Sequence, residues 1–180
     1  MMKIKTGVLS PKVRHVSDEE YPAVLKSMIA HCKERCYCSI FIVDFSPSKD
    51  REHLVDSVLL GLQAALWRGT DVRLLIGGSR TNFEIAQIGL AAKSRADQLN
   101  IPCRLMESMD VRGSHVKMVI ADNFILAGSH NWSGGAFTNQ TQDSILIDSP
   151  DMAAGLTATF KYQWSRLENT KEEGEKNGSV

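Results

Sequence analysis

Ser114-His115-Val116-Lys117-Met118-Val119-Ile120-Ala121-Asp122-Asn123-Phe124-Ile125-Leu126-Ala127-Gly128-Ser129-His130-Asn131-Trp132 is the stretch whose reading decides both fold and chemistry. It has the form H-x-K-x4-D-x5-G-S-x-N. Along a strand, His115 and Lys117 share one face roughly 6–7 Å apart, because side chains alternate with a period of two. Asp122-Asn123 supplies a turn, and Phe124 to Ala127 returns as the hairpin partner. The turn carries Gly128-Ser129-x-Asn131 back toward His115. An imidazole, an ammonium, a hydroxyl and an amide then meet at one spot. Such a set suits a tetrahedral phosphoryl group, with one nucleophile or acid and several donors for the oxygens.

Outward from this hairpin, strands alternate with helices. Ser17 with Glu20 three positions on reads as a capping box, and Val24, Leu25, Met28 and Ile29 recur at helical spacing, so a helix is expected over about 17–35. The nearly continuous apolar run from Tyr37 to Phe45 reads as a strand covered on both faces, ended by Pro47-Ser48. Leu54, Val55, Val58, Leu59, Leu62, Ala65 and Leu66 form the stripe of a second helix stopped by Gly69. Asp71 to Ile76 is the next strand, Asn82 to Leu99 a third helix and Cys103 to Met106 a strand. Ser149-Pro150 caps a last helix reaching Leu167. The alternation implies an α/β sandwich. One domain is expected over 1–168, with a polar, aperiodic and disordered tail over 169–180.

Composition narrows the class. The chain has 180 residues, 43% of them hydrophobic, and 21 Lys+Arg balance 21 Asp+Glu, which fits one globular domain without a general attraction to polyanions. No apolar run reaches the roughly 18–20 residues of a membrane span, and Met1-Met2-Lys3-Ile4-Lys5 leads into no signal-peptide core, so the expected compartment is the cytoplasm, without stable membrane association. Four cysteines make no disulfide framework in a chain of this length, and reduced thiols are expected. His31, Cys32, Cys36 and Cys38 have a spacing that admits zinc. The competing reading, small thiols buried at the start of an apolar strand, is preferred, and neither a metal nor a cofactor is expected.

The H-x-K-x4-D-x5-G-S-x-N segment resembles the HKD signature of the phospholipase D superfamily, H-x-K-x4-D-x6-G-S-x-N. Six matched positions arise by chance on the order of 10⁻⁸ per starting point. The order of strands and helices over roughly 20–167 also follows that superfamily's single-motif unit. The resemblance implies an α-β-α sandwich with a mixed central sheet. It implies a phosphodiesterase in which His115 forms a phosphohistidine and Lys117, Ser129 and Asn131 hold phosphate oxygens. Because one histidine cannot serve as both nucleophile and leaving-group acid in a single step, it also implies a homodimer that pairs two copies of His115. Two departures stand out. The Asp122–Gly128 gap is one residue short, and the position where the family carries a Glu that orients the imidazole falls on Gln142, beside Asp143.

The remaining candidates are weaker. Asp122 alternates away from His115 and reads as structural, holding the hairpin or a neighbouring cation. His15, His31 and His53 read as structural or solvated. His130, at the variable position of G-S-x-N, is a minor candidate for a second acid or base. Trp132 reads as core packing rather than a base-stacking platform. Gly77-Gly78-Ser79-Arg80 ends a strand and opens a helix, which makes Arg80 a weak candidate for substrate contact. Small single-motif members resemble the superfamily's endonucleases, so nucleic acid is the expected substrate. A phospholipase or transphosphatidylase, or a silent nucleic-acid-binding module, are the alternatives, and an unknown protein partner remains open.

Overall fold

A computed structural model describes residues 10–48, 50–79, 81–106 and 114–177, with side chains to residue 167. Strand β1 (Lys12–Ser17) leads into α1 (Tyr21–His31), β2 (Arg35–Ile40), β3 (Val43–Asp44) and α2 (Leu54–Trp67). Then follow β4 (Asp71–Gly77), α3 (Phe83–Gln98), β5 (Cys103–Met106), β6 (Lys117–Ala121) and β7 (Phe124–Gly128). Strand β8 (Trp132–Ser133), α4 (Gly134–Thr138), β9 (Asp143–Asp148) and α5 (Pro150–Asn177) complete the chain.

Helix boundaries follow local chemistry. Asn82 Oδ1 accepts from Ile85 N at 3.1 Å and starts α3. Asp50 is fully buried because it accepts from Leu54 N at 2.9 Å and Val55 N at 3.0 Å, satisfying donors that the first turn of α2 cannot bond internally. Gly69, at φ 88°, ends α2 in the left-handed region that a side chain resists. The Ser17–Glu20 hydrogen bonds of a capping box form, at 3.3 Å, yet α1 begins only at Tyr21, because Ser17 is held in β1 opposite Asp143. That helix also stops early, at His31 rather than Arg35. Asp122 draws the amides of Lys33, Glu34 and Arg35 into its carboxylate, which is incompatible with helical bonding there.

The main sheet has the order β1-β9-β7-β6-β2-β4-β5. Strands β2, β4 and β5 are parallel, as helical crossovers require, and β6, β7, β9 and β1 add antiparallel. The result is the expected mixed sheet between helical layers. Val119, Cys36, Cys38 and Leu74 turn toward α1, α2 and α3, while Ile120, Tyr37 and Leu75 face Phe160 and Trp164 of α5. Burial on both sides accounts for the unbroken apolar character of β2. The run Tyr37 to Phe45 is not one strand, however. After Ile40 the chain leaves the sheet, and Val43 and Asp44 pair with Trp132 and Ser133 in a separate two-stranded ribbon.

All four cysteines are free and buried. The backbone of α5 runs to Asn177, past the expected end at Leu167. The sequence of 168–177 is rich in Glu and Lys, residues of high helix propensity. Among the described residues no helix is long and apolar enough to cross a membrane.

Candidate active site

The parallel pairing of β2 and β4, and the antiparallel return of β6 and β7, bring several segments to one end of the sheet. Ile40 lies opposite Lys117, and Met118 opposite Ala127, so the carboxyl ends of β2, β4 and β7 meet the start of β6. Irregular backbone beyond those ends carries His115, Ser129 and Asn131.

His115 is not on the strand. It lies in the extended segment before β6, with its ring exposed and 4.5 Å from that of Phe41. Lys117, the first residue of β6, is 9% exposed, and its Nζ lies 3.0 Å from His115 Nδ1, 3.3 Å from Nε2 and 2.9 Å from the His115 carbonyl. The ammonium also lies 4.9 Å from the centre of the Phe41 ring, within cation–π range. Burial pushes the Lys117 pKa below its ordinary value. An exposed imidazole and a buried positive charge therefore lie side by side.

Asn131 comes to the same end of the sheet. Its Oδ1 accepts from Ile42 N at 3.3 Å, one residue beyond Phe41, which turns the amide's donor group away from that backbone. Ser129 is tied differently. Its Oγ accepts from Asp143 N at 3.0 Å and donates to Asp143 O at 3.3 Å, so the hydroxyl links the loop to β9.

Gln142 and Asp143, the expected orienters of His115, bond elsewhere. Gln142 N donates to Asp18, its side chain donates to Gln140, and Asp143 Oδ1 pairs with His15 Nε2 at 2.7 Å. Register explains this for Asp143. It shares the sheet face of Ile145, Ala127 and Met118, whereas Lys117 points to the other face. Asp122 sits in the hairpin turn at φ 51° and accepts from three successive amides at 2.9–3.0 Å. Burial alone would raise its pKa, but those bonds and the Arg35 guanidinium hold it below the usual carboxylate value. His130 is fully buried, stacked on Tyr21 at 3.9 Å, with Nδ1 2.8 Å from Ser144 Oγ, and burial lowers its pKa. Trp132 is core, its Nε1 donating to Tyr21 at 3.2 Å. Arg80 lies outside the described residues.

The sequence places Gly77 only in a strand-ending glycine run and Phe41 only in an apolar strand, and shows neither one's part in the site. A Cβ on Gly77 would come within 2.6 Å of the Ser114 carbonyl and 2.9 Å of Phe41 Cα, so only glycine lets the segment carrying His115 cross the end of β4. Neither role has a local signal, because each residue acts through a partner distant in the chain.

A family model described as "Cardiolipin synthase, PLD-like domain" matches residues 25–164. The chain belongs to the phospholipase D-like family. It is thus a member of a phosphodiesterase superfamily. Solved structures of the PLD-like fold resemble it closely. Nuc from Salmonella typhimurium, a phospholipase D family member, is 21% identical with a TM-score of 0.69, over 87% of this chain and 95% of that one. NucT from Helicobacter pylori is 16% identical, TM-score 0.63, over 87% and 97%. Phosphatidylserine synthase from Haemophilus influenzae Rd KW20 is 14% identical, TM-score 0.61, over 81% of this chain and 35% of that one. Comparison with curated protein sequences returned no match.

Proposed function

We propose that this PLD-like domain is an endonuclease that hydrolyses nucleic-acid phosphodiester bonds on a homodimeric site. The observation that carries the reading is the exposed His115 imidazole held against the Lys117 ammonium. In the first step a ring nitrogen of His115 attacks phosphorus, the P–O bond to the leaving group breaks, and the departing oxygen takes a proton from the partner's His115. In the second step the partner's His115 removes a proton from water, whose oxygen attacks phosphorus and breaks the P–N bond, restoring both rings. Lys117 and Asn131 neutralise and bind the non-bridging oxygens, and Ser129 fixes the loop that carries Asn131.

Nucleic acid is favoured over lipid for two reasons. Nuc and NucT match along nearly their whole length. The large cavity beside Asn131 also sets amides and carboxylates among Ile42, Leu54, Ile85 and Ile88, a mixed lining rather than the continuous apolar surface that acyl chains need. A formal charge of zero means that binding rests on few phosphate contacts and weakens with salt.

Mixing wild-type chains with His115→Ala chains by co-refolding tests the shared site. A dimer that needs both histidines gives activity following the square of the wild-type fraction, about one quarter at an equal mixture. A linear decline, to about one half, would show that each chain works alone.

A further inference from the structure

We propose that His130 is a positioning residue: its buried ring locks the loop on both sides of Asn131 and so aims the Asn131 amide at the phosphoryl position. The inference rests on the part given to Asn131 in the proposed mechanism, and it assigns a role to the variable position of G-S-x-N. Burial itself excludes His130 from acid–base work, because a ring without exposed surface reaches no substrate.

The residues flanking Asn131 are all anchored. Ser129 N donates to Asp143 O at 2.8 Å, and its hydroxyl bonds the same residue. The His130 ring lies nearly parallel to that of Tyr21, with centroids 3.9 Å apart, and its Nδ1 is 2.8 Å from Ser144 Oγ. Trp132 N donates to Ile42 O at 2.9 Å, and its indole donates to the hydroxyl of the same Tyr21. Tyr21, buried in α1, thus joins the residue before Asn131 to the residue after it. Ser144 lies opposite Gly128 and shares the sheet face of Lys117, so the ring is pinned on the side where the ammonium lies. A Cβ at Gly128 would strike Ser144 Oγ, and the bare backbone there lets the loop settle onto the His130–Ser144 pair. Between these anchors Asn131 has Oδ1 on Ile42 N, which leaves its N–H groups for a phosphate oxygen.

The ring works only while it is neutral. Its Nε2 has no acceptor among the described residues, so a second ring proton would be buried without a partner. Of the titratable groups around it, Asp18 and Asp143 favour the charged form, although Asp143 is paired with His15. Burial outweighs both and keeps the His130 pKa below 6.5, and the same burial raises that of Tyr21.

The test is a double-mutant cycle on the full chain. His130→Phe keeps a flat ring for Tyr21 but gives up the Ser144 bond, and Asn131→Ala removes the amide that the loop presents. Turnover of bis(p-nitrophenyl) phosphate and urea unfolding are measured for wild type, both single variants and the double variant. His130→Phe should lower kcat/KM about tenfold or more, yet add less than about twofold once residue 131 is alanine. The NMR signal of the Asn131 side-chain NH2, recognised by its loss in Asn131→Ala, should shift on adding tungstate to wild type and stay in place in His130→Phe. A ring that only packs the core would lower stability and leave that signal responsive. An unchanged kcat/KM in His130→Phe, an equal loss in both backgrounds, or an undiminished tungstate shift would overturn the inference. An Asn131→Ala chain as active as wild type would overturn it together with the part given to Asn131. The wild-type chain is also given labelled DNA and RNA oligonucleotides. Diester turnover without cutting of either would overturn the nuclease reading, while the cycle would still decide the role of His130.

Discussion

Asp122 shows how one carboxylate can organise a site without touching it. Its three amide bonds close the gap between α1 and β2, and its backbone occupies the left-handed turn that returns β7 alongside β6. Asn tolerates the same backbone conformation but lacks the charge, so Asp122→Asn isolates the carboxylate. The variant should lose about 1–3 kcal/mol of stability at pH 7 by urea unfolding. Because the folded pKa lies below the model-compound value of 3.8, the wild-type advantage is full above about pH 4 and disappears as pH falls through the folded value. A difference that does not change with pH would place the effect elsewhere. Lys117 titrates in the opposite sense. Burial disfavours its ammonium, so the charged form that binds phosphate is lost as pH rises through a pKa lower than 10.5. The alkaline limb of kcat/KM should therefore fall before pH 10.5, and Lys117→Arg, which stays charged, should abolish that limb even if it lowers the plateau. A limb unmoved by the substitution would assign it to another group.

At the scale of elements, the site depends on how closely strand ends approach the segments that cross them. Gly77 closes β4 beneath Ser114 and Phe41, and Gly128 closes β7 where any side chain would meet the Asp143 carbonyl and Ser144. Gly77→Ala forces the backbone at Ser114, next to His115, and at Phe41 to move. We expect a loss of about 1–3 kcal/mol in stability and of about 10²-fold in turnover of bis(p-nitrophenyl) phosphate, since displacements near 1 Å at a reacting group have that effect. Gly155→Ala is the control. Its Cβ meets nothing within 4 Å inside α5, and the change should raise stability by about 0.5–1 kcal/mol with unaltered turnover. Full activity in Gly77→Ala would mean that the close approach does not position His115.

For the whole molecule, the charge balance and the donor set make one further expectation. The groups gathered at the sheet end are an imidazole, an ammonium and an amide, which between them supply a nucleophile and positive charge for phosphate oxygens. Turnover should persist in excess EDTA, and vanadate or tungstate should compete with substrate by occupying the phosphoryl position between Lys117 and Asn131. Activity lost to chelation and restored by Mg²⁺ would refute the mechanism. How the parts came to be gathered was only partly legible. Period-two and period-3.6 patterns located α2, α3, β4 and β5, because their apolar residues lie within one element. Strands β1 and β9 passed unnoticed, since Lys12–Ser17 is largely exposed and Asp143–Asp148 packs mainly through alternate residues, so neither has a strong apolar signal. The split of Tyr37 to Phe45 was equally hidden, because it depends on pairing with Trp132 and Ser133 some ninety residues away.

By itself the sequence determined the α/β layering, the hairpin and the H-x-K-x4-D-x5-G-S-x-N segment, because periodicity and motif spacing are properties of a short stretch of chain. Tertiary structure alone decided what each polar group touches. It put Phe41 against His115, buried His130 on Tyr21, turned Asp143 to the sheet face opposite Lys117 and opened the cavity beside Asn131. Those outcomes follow from strand register and from the close approach of segments far apart in the chain. A one-residue change in either would reverse the face on which a side chain lies, and no local pattern encodes it.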